Sequence, residues 1–173
     1  YNIPFTILRF FTVYGPYGRP DMALFKFTKN ILEKKKIEVF NNGNHTRDFT
    51  YVTDIAKSIE KLILKIPNKN EKFNLNKKLS YNSKAKIRYL NIGNGKPEPL
   101  MKYIKLLEKI LGIKSKKKYL PFQTGDALKT SSSTKKLKKI INFTPSIKIE
   151  EGIIKFAKWY KNYYKIKWKN NLL

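Results

Sequence analysis

Arginine is scarce in this 173-residue chain: four arginines stand against thirty-four lysines. Two of the four, Arg9 and Arg19, fall in one stretch, Ile7-Leu8-Arg9-Phe10-Phe11-Thr12-Val13-Tyr14-Gly15-Pro16-Tyr17-Gly18-Arg19-Pro20-Asp21-Met22. A guanidinium is planar and offers paired N–H donors to a carboxylate or phosphate, a fork that lysine does not reproduce. Their clustering points to an anionic ligand. Other chemistries are poorly supplied. The absence of cysteine excludes disulfides and thiolate metal sites, and the one histidine, His45, sits in a turn-rich stretch with no metal-ligand spacing around it.

The elements that must position these residues follow from the apolar pattern. Residues 4–13 read as a buried strand that breaks into a Gly/Pro loop at Gly15-Pro16, the way open α/β sheets present ligand-binding residues. A helix is predicted over Ala23–Leu32, then a short strand over 37–40 closed by Asn41-Asn42-Gly43-Asn44. A second short strand spans 47–52. A helix capped by Thr53 or Asp54 follows, with Ile55, Ile59, Leu62, Ile63 and Ile66 as its core face and Pro67 as its stop. Residues 68–86 are polar and read as a surface loop. A strand over 88–93 leads to a helix over 97–111, with Gly112 just past its end. Tyr119-Leu120-Pro121 is a brief extended piece before the Gln123–Asp126 loop. Residues 132–142 form a short helix, and Ile149, Ile153, Phe156, Ala157, Tyr160 and Tyr164 mark a final amphipathic one. Strand and helix alternate throughout, so the class is α/β.

The formal net charge of +26 raises nucleic acid as a partner. Three features argue against it. Lysine far outnumbers arginine, the lysines are dispersed, and the enriched residues Lys, Asn, Ile, Tyr and Phe share A/T-rich codons. Lys34–Lys36 and Lys116–Lys118 fall where helices give way to loops or strands and read as solvated faces. No apolar run reaches the length of about 18 residues that a membrane span needs. The expected location is the cytoplasm. The chain begins at Tyr1 and enters a strand almost at once, which reads as the second part of a longer protein.

Four stretches carry a resemblance: Leu8 to Phe27 (LRFFTVYGPYGRPDMALFKF), Gly43 to Ile55 (GNHTRDFTYVTDI), Tyr89 to Pro97 (YLNIGNGKP) and Pro121 to Thr130 (PFQTGDALKT), with Trp159-Tyr160 near the end. In this order they resemble the C-terminal part of the extended short-chain dehydrogenase/reductase family, the nucleotide-sugar epimerases and dehydratases. Within that family they look most like the UDP-glucuronate 4-epimerases of capsule and lipopolysaccharide synthesis.

The resemblance implies an NAD-dependent enzyme that oxidises and re-reduces a UDP-sugar at C4. It places the last strands of the Rossmann sheet at about 1–16 and 87–95, and a nucleotide-sugar-binding domain at about 17–86 and 96–173. The glycine-rich NAD loop and the catalytic Tyr-x-x-x-Lys of the family would lie upstream, so no catalytic residue is assigned here. Tyr160 to Tyr164 lies on the wrong helix, and Tyr81 to Lys84 has the wrong spacing. The family's homodimer pairs through helices of the Rossmann half. Without them, the isolated chain is expected to expose apolar surface.

Residue by residue, the resemblance implies a substrate grip. Phe10 falls where a side chain faces the nicotinamide. Thr12 matches a polar residue that bonds the sugar or its phosphate; the plain alternative is a turn hydroxyl. Arg19 matches the arginine at the sugar-acid side, against an exposed loop arginine. Arg47 matches the arginine that clamps the UDP diphosphate, whose closely spaced oxygens suit the fork. Its alternative is an ion pair with Asp48 or another strand neighbour. Phe40 stands where a wall packs on the uracil, and both it and Phe10 could be plain core. Asp126 matches an acid that meets the ribose hydroxyls. Gln123 replaces an arginine of other branches and can still reach the ribose. Asp54 holds a family position that a helix cap explains. A 4,6-dehydratase or reductase of the same fold, and a basic nucleic-acid-binding protein, are the competing readings.

Overall fold

The computed structural model describes residues 3–68 and 86–167. Its strands associate as four pairs, and the pairing decides where each loop ends. β1 (Phe5–Phe10) runs parallel to β6 (Ile87–Ile92), with Phe5 opposite Ile87 and Phe10 opposite Ile92. β2 (Thr12–Tyr14) runs parallel to β5 (Phe49–Tyr51). β3 (Lys36–Phe40) runs parallel to β8 (Lys116–Leu120), and β4 (Thr46–Arg47) pairs antiparallel with β7 (Glu98–Pro99). Among the described residues five α-helices cover them: α1 (Ala23–Leu32), α2 (Val52–Ile63), α3 (Leu100–Leu111), α4 (Lys135–Ile141) and α5 (Ile149–Tyr163). The architecture is α/β, as expected.

The single strand expected over 4–13 is two strands. The Phe11 N–H still donates to Ile92 O at 3.3 Å, while the Thr12 N–H donates to Asp48 O at 3.1 Å. The chain changes partners within one residue. The strand expected over 47–52 divides likewise into β4 and β5, because Asp48 between them turns its carboxylate inward.

Two cores hold the elements. The larger gathers Leu24, Phe27 and Ile31 of α1, Ile37 and Val39 of β3, Tyr103 and Leu107 of α3, and Ile153 and Phe156 of α5. The smaller joins Ile55 and Leu62 of α2 to Leu90 and Ile92 of β6 and Leu137 and Ile141 of α4. The expected core face of α2 is half right. Ile55 and Leu62 are buried, but Ile59, Ile63 and Ile66 are exposed, and the buried line runs instead through Asp54 and Ser58. Residues 55, 58 and 62 lie on one side of the helix at three- and four-residue spacing, 59 and 63 lie on the next, and Ile66 lies past the end of α2.

Other boundaries shift for local reasons. α3 begins at Leu100 rather than at Pro97, since Glu98 and Pro99 are extended against Arg47 and Thr46. Gly112 ends α3 at φ +69, the left-handed turn that glycine makes without steric cost. β8 begins at Lys116, so part of the lysine run is not a solvated face. Lys117 is largely buried and lies 2.5 Å from Glu108, which also accepts from the Ser115 N–H and hydroxyl. The short helix starts at Lys135 and not at 132, and Tyr164 caps α5 exposed. The polar loop expected over 68–86 lies, but for its two ends, outside the described residues. No helix among the described residues is long and apolar enough to cross a membrane.

Candidate functional site

The site is built around the break between β4 and β5. Asp48, in the break, is fully buried, and burying a carboxylate is costly unless it is hydrogen-bonded. Its oxygens accept N–H bonds from Asn94 at 2.9 Å, Gly95 at 3.0 Å and Ser132 at 2.8 Å. Its own N–H donates to Thr130 Oγ1 at 3.2 Å. With the Thr12 bond, this one residue ties together β2, the loop after β6 and residues 130–132. Gly93 completes the cradle, because a Cβ there would meet the Ser132 side chain and lie 2.9 Å from Asp48 Oδ2.

Asp54 does similar work. It is not the cap of α2, which has no side-chain cap. Its buried carboxylate accepts the N–H groups of Ser146 at 2.8 Å and Ile147 at 2.9 Å, fixing the approach to α5.

With the Asp48 oxygens engaged by backbone, Arg47 pairs elsewhere. Its Nη2 donates to Asp126 Oδ1 at 2.7 Å, and its Nη1 to the carbonyls of Thr46 at 3.1 Å and Leu128 at 3.4 Å. The loop that carries Asp126 is moored to β4 by Thr46 N–H to Leu128 O at 3.0 Å and Thr130 N–H to Thr46 O at 3.1 Å. The Asp126 N–H donates to Gln123 O at 3.1 Å, which places Gln123, itself exposed, on the same loop.

Phe40 is half-buried opposite Leu120, and Asn41 N–H to Pro121 O at 3.3 Å brings its strand end beside this loop. His45 is buried, not loose in a turn. Its Nε2 lies 3.5 Å from Asp126 Oδ2 without a hydrogen bond, and its ring centre is 6.1 Å from that of Phe122.

A second group forms where β2 runs out. Gly15, at φ +139, presses against α2 so closely that a Cβ would come within 2.6 Å of Val52 Cγ1. The Gly18 N–H turns back to Gly15 O at 3.3 Å. Arg19 then projects into solvent and forms a fork with Asp21, at 3.0 Å from Nε and 2.5 Å from Nη2. That hydrogen-bonded pairing raises the guanidinium pKa and lowers that of the Asp21 carboxyl. An open groove of about 420 Å³ is lined by Phe10, Tyr17 and Arg19 among others, and a small cavity of about 50 Å³ behind it by Thr12, Tyr14 and Arg19. The Tyr14 hydroxyl is buried without a partner, and burial pushes its pKa up.

The expected residues therefore gather in two groups. Phe40, Arg47, Gln123 and Asp126 share one edge; Phe10, Thr12 and Arg19 share the groove and its cavity. The β2–β5 pairing sets Thr12 of the second group opposite Phe49, which is two residues along the chain from Arg47.

A family model, the NAD dependent epimerase/dehydratase family, matches residues 1–76. Protein CapI of Staphylococcus aureus is 45% identical over 95% of this chain and 49% of its own length. A probable UDP-glucuronate 4-epimerase of Rhizobium meliloti is 39% identical over 95% of this chain and 49% of its own. Among solved structures, a UDP-glucuronic acid 4-epimerase of Bacillus cereus, in complex with UDP-glucuronic acid and NAD, superposes with TM-score 0.77. It is 30% identical and covers 94% of this chain and 46% of its own. The chain belongs to the NAD dependent epimerase/dehydratase family. It spans about half the length of the curated relatives it matches.

Within this epimerase/dehydratase fold, the residues that sequence reasoning missed are the structural carboxylates. Asp48 fixes the backbone on which Arg47 and Thr12 are presented, and Asp54 fixes the approach to α5. Their signal was an acid set within apolar strand and helix residues, Asp48 before Phe49 and Asp54 before Ile55. His45, beside Asp126, was legible only as a lone histidine.

Proposed function

We propose that this chain is the substrate-binding part of a nucleotide-sugar 4-epimerase, an isomerase that interconverts UDP-glucuronate and UDP-galacturonate. The observation that carries the reading is the likeness, over nearly the whole chain, to the Bacillus cereus enzyme solved with UDP-glucuronic acid and NAD. In this reading, β1 and β6 (about 1–16 and 87–95) complete a Rossmann sheet, and residues 17–86 and 96–173 form the nucleotide-sugar domain. Pairing of two copies and a cytoplasmic location belong to the same proposal.

Each residue then has a task. Arg47 exchanges its Asp126 carboxylate for the diphosphate, a swap of one anion for another at an edge open to solvent. Asp126 and Gln123 meet the ribose, and Phe40 walls the uracil. Thr12 bonds the sugar, and Arg19 exchanges Asp21 for the sugar carboxylate. Bound NAD supplies the hydride acceptor and donor for C4. The residues present suit the nicotinamide end of that cofactor, since Phe10 offers a half-exposed ring at the mouth of the 420 Å³ groove.

The reading is tested by measuring UDP affinity of the complete protein with Arg47→Ala. Loss of a charge-assisted contact to phosphate predicts about tenfold or more weaker binding. Unchanged affinity contradicts the clamp.

A further inference from the structure

Tyr17 stands at φ +57, a left-handed conformation that a bulky residue keeps only where its surroundings compensate. Burial does not do so, because 79% of the residue is exposed. The compensation is aromatic. The Tyr17 ring meets Trp159 of α5 edge-on at 5.1 Å and Tyr163 at 5.9 Å, while Trp159 and Tyr163 stack on each other at 5.1 Å. Trp159 also meets Phe25 of α1 at 6.1 Å. One face of α5 thus grips α1 and the loop that leads into it. Such aromatic pairs contribute beyond the area they cover, and they are directional.

Arg19 lies two residues further along this loop. Its side chain bonds Asp21 and its carbonyl accepts from the Met22 N–H at 3.1 Å at the start of α1, and on the other side the Tyr17 ring on α5, with Gly15 wedged against Val52, ties the loop to the packed body. Tyr17, Arg19 and Phe10 line one groove. We propose that Tyr17 and Trp159 form a latch that sets the position of Arg19, making both positioning residues for the sugar acid; this rests on the reading of Arg19 as the sugar-acid arginine.

The test uses the complete protein, with the KM for UDP-glucuronate and the affinity for UDP, which lacks the sugar acid, measured side by side. Arg19→Ala and Tyr17→Ala are each expected to raise KM about tenfold, the loss of one charge-assisted contact, and to leave UDP affinity unchanged. The double variant is expected to be no worse than Arg19→Ala, and Tyr17→Phe to behave as wild type, since the ring and not the hydroxyl makes the contact. A normal KM for Tyr17→Ala beside a raised one for Arg19→Ala overturns the latch and leaves the Arg19 reading standing. Normal values for both overturn the Arg19 reading and the latch with it. Additive losses in the double variant, or UDP affinity falling together with KM, overturn the latch by showing that Tyr17 acts apart from Arg19.

Discussion

Arg47 Nη2 lies 2.7 Å from Asp126 Oδ1, joining residues 79 positions apart across the mooring of the 123–130 loop on β4. The pair is both a support and a competitor, because any anion that takes Arg47 must displace Asp126. Asp126→Ala is therefore expected to change two affinities differently. Inorganic pyrophosphate gains about 1 kcal/mol from the unopposed guanidinium, while UDP gains the same at its diphosphate, loses a similar amount with the ribose contact and binds about as before. Inhibition constants for the two ligands, measured on the same variant, check this.

Asp48 gives a sharper prediction on stability. Asp48→Ala strands the N–H groups of Gly95 and Ser132, while the Asn94 N–H keeps Thr50 Oγ1 at 3.0 Å as an acceptor. Orphaned buried donors cost about 1–3 kcal/mol each, so a loss of about 2–5 kcal/mol is expected. Asp48→Asn keeps one acceptor oxygen and should lose less. Urea denaturation midpoints of the two variants order them.

Gly152 on α5 lies directly under the ring of Tyr14, and a Cβ there would collide with the phenol. Tyr14 also packs edge-on to Phe49, Tyr51 and Tyr103, which leaves it little room to retreat. Gly152→Ala is expected to cost about 1–3 kcal/mol by overpacking, read as a lowered thermal midpoint. The same shift of Tyr14 disturbs the cavity lined by Thr12 and Arg19.

Glu108 carries a pH signature. Burial acts to raise its pKa, but hydrogen bonds from Lys117 and Ser115 outweigh it, and the net shift is downward from the ordinary 4.5. Because the folded value is the lower one, its stabilisation is fully present above 4.5 and disappears as pH falls through the folded-state value. Glu108→Gln is expected to cost about 1 kcal/mol near neutral pH and progressively less on acidification. Denaturation of wild type and variant should converge at acid pH.

The sequence announced some of this fold and concealed the rest for identifiable reasons. α3 and α5 were legible because Ile104, Leu107 and Leu111, and then Ile153, Phe156 and Tyr160, repeat at helical spacing on faces that are buried. The division of residues 4–13 was not, because a change of partner at Phe11 leaves the β-forming composition unaltered. The exposed Ile59, Ile63 and Ile66 show that an apolar stripe marks a face without saying that anything covers it. The pairing of Arg47 with Asp126 depends on how the 123–130 loop is moored, a long-range fact that spacing does not encode. Asp48 was hidden because its partners are backbone N–H groups, which any sequence supplies.

The central claim is the reaction itself, and product analysis tests it most directly. Complete protein is incubated with UDP-glucuronate and NAD, and the sugar nucleotides are resolved. The account predicts a mixture of UDP-glucuronate and UDP-galacturonate, reached equally from either side. A 4-keto-6-deoxy or decarboxylated product, or no turnover of UDP-glucuronate, would contradict it.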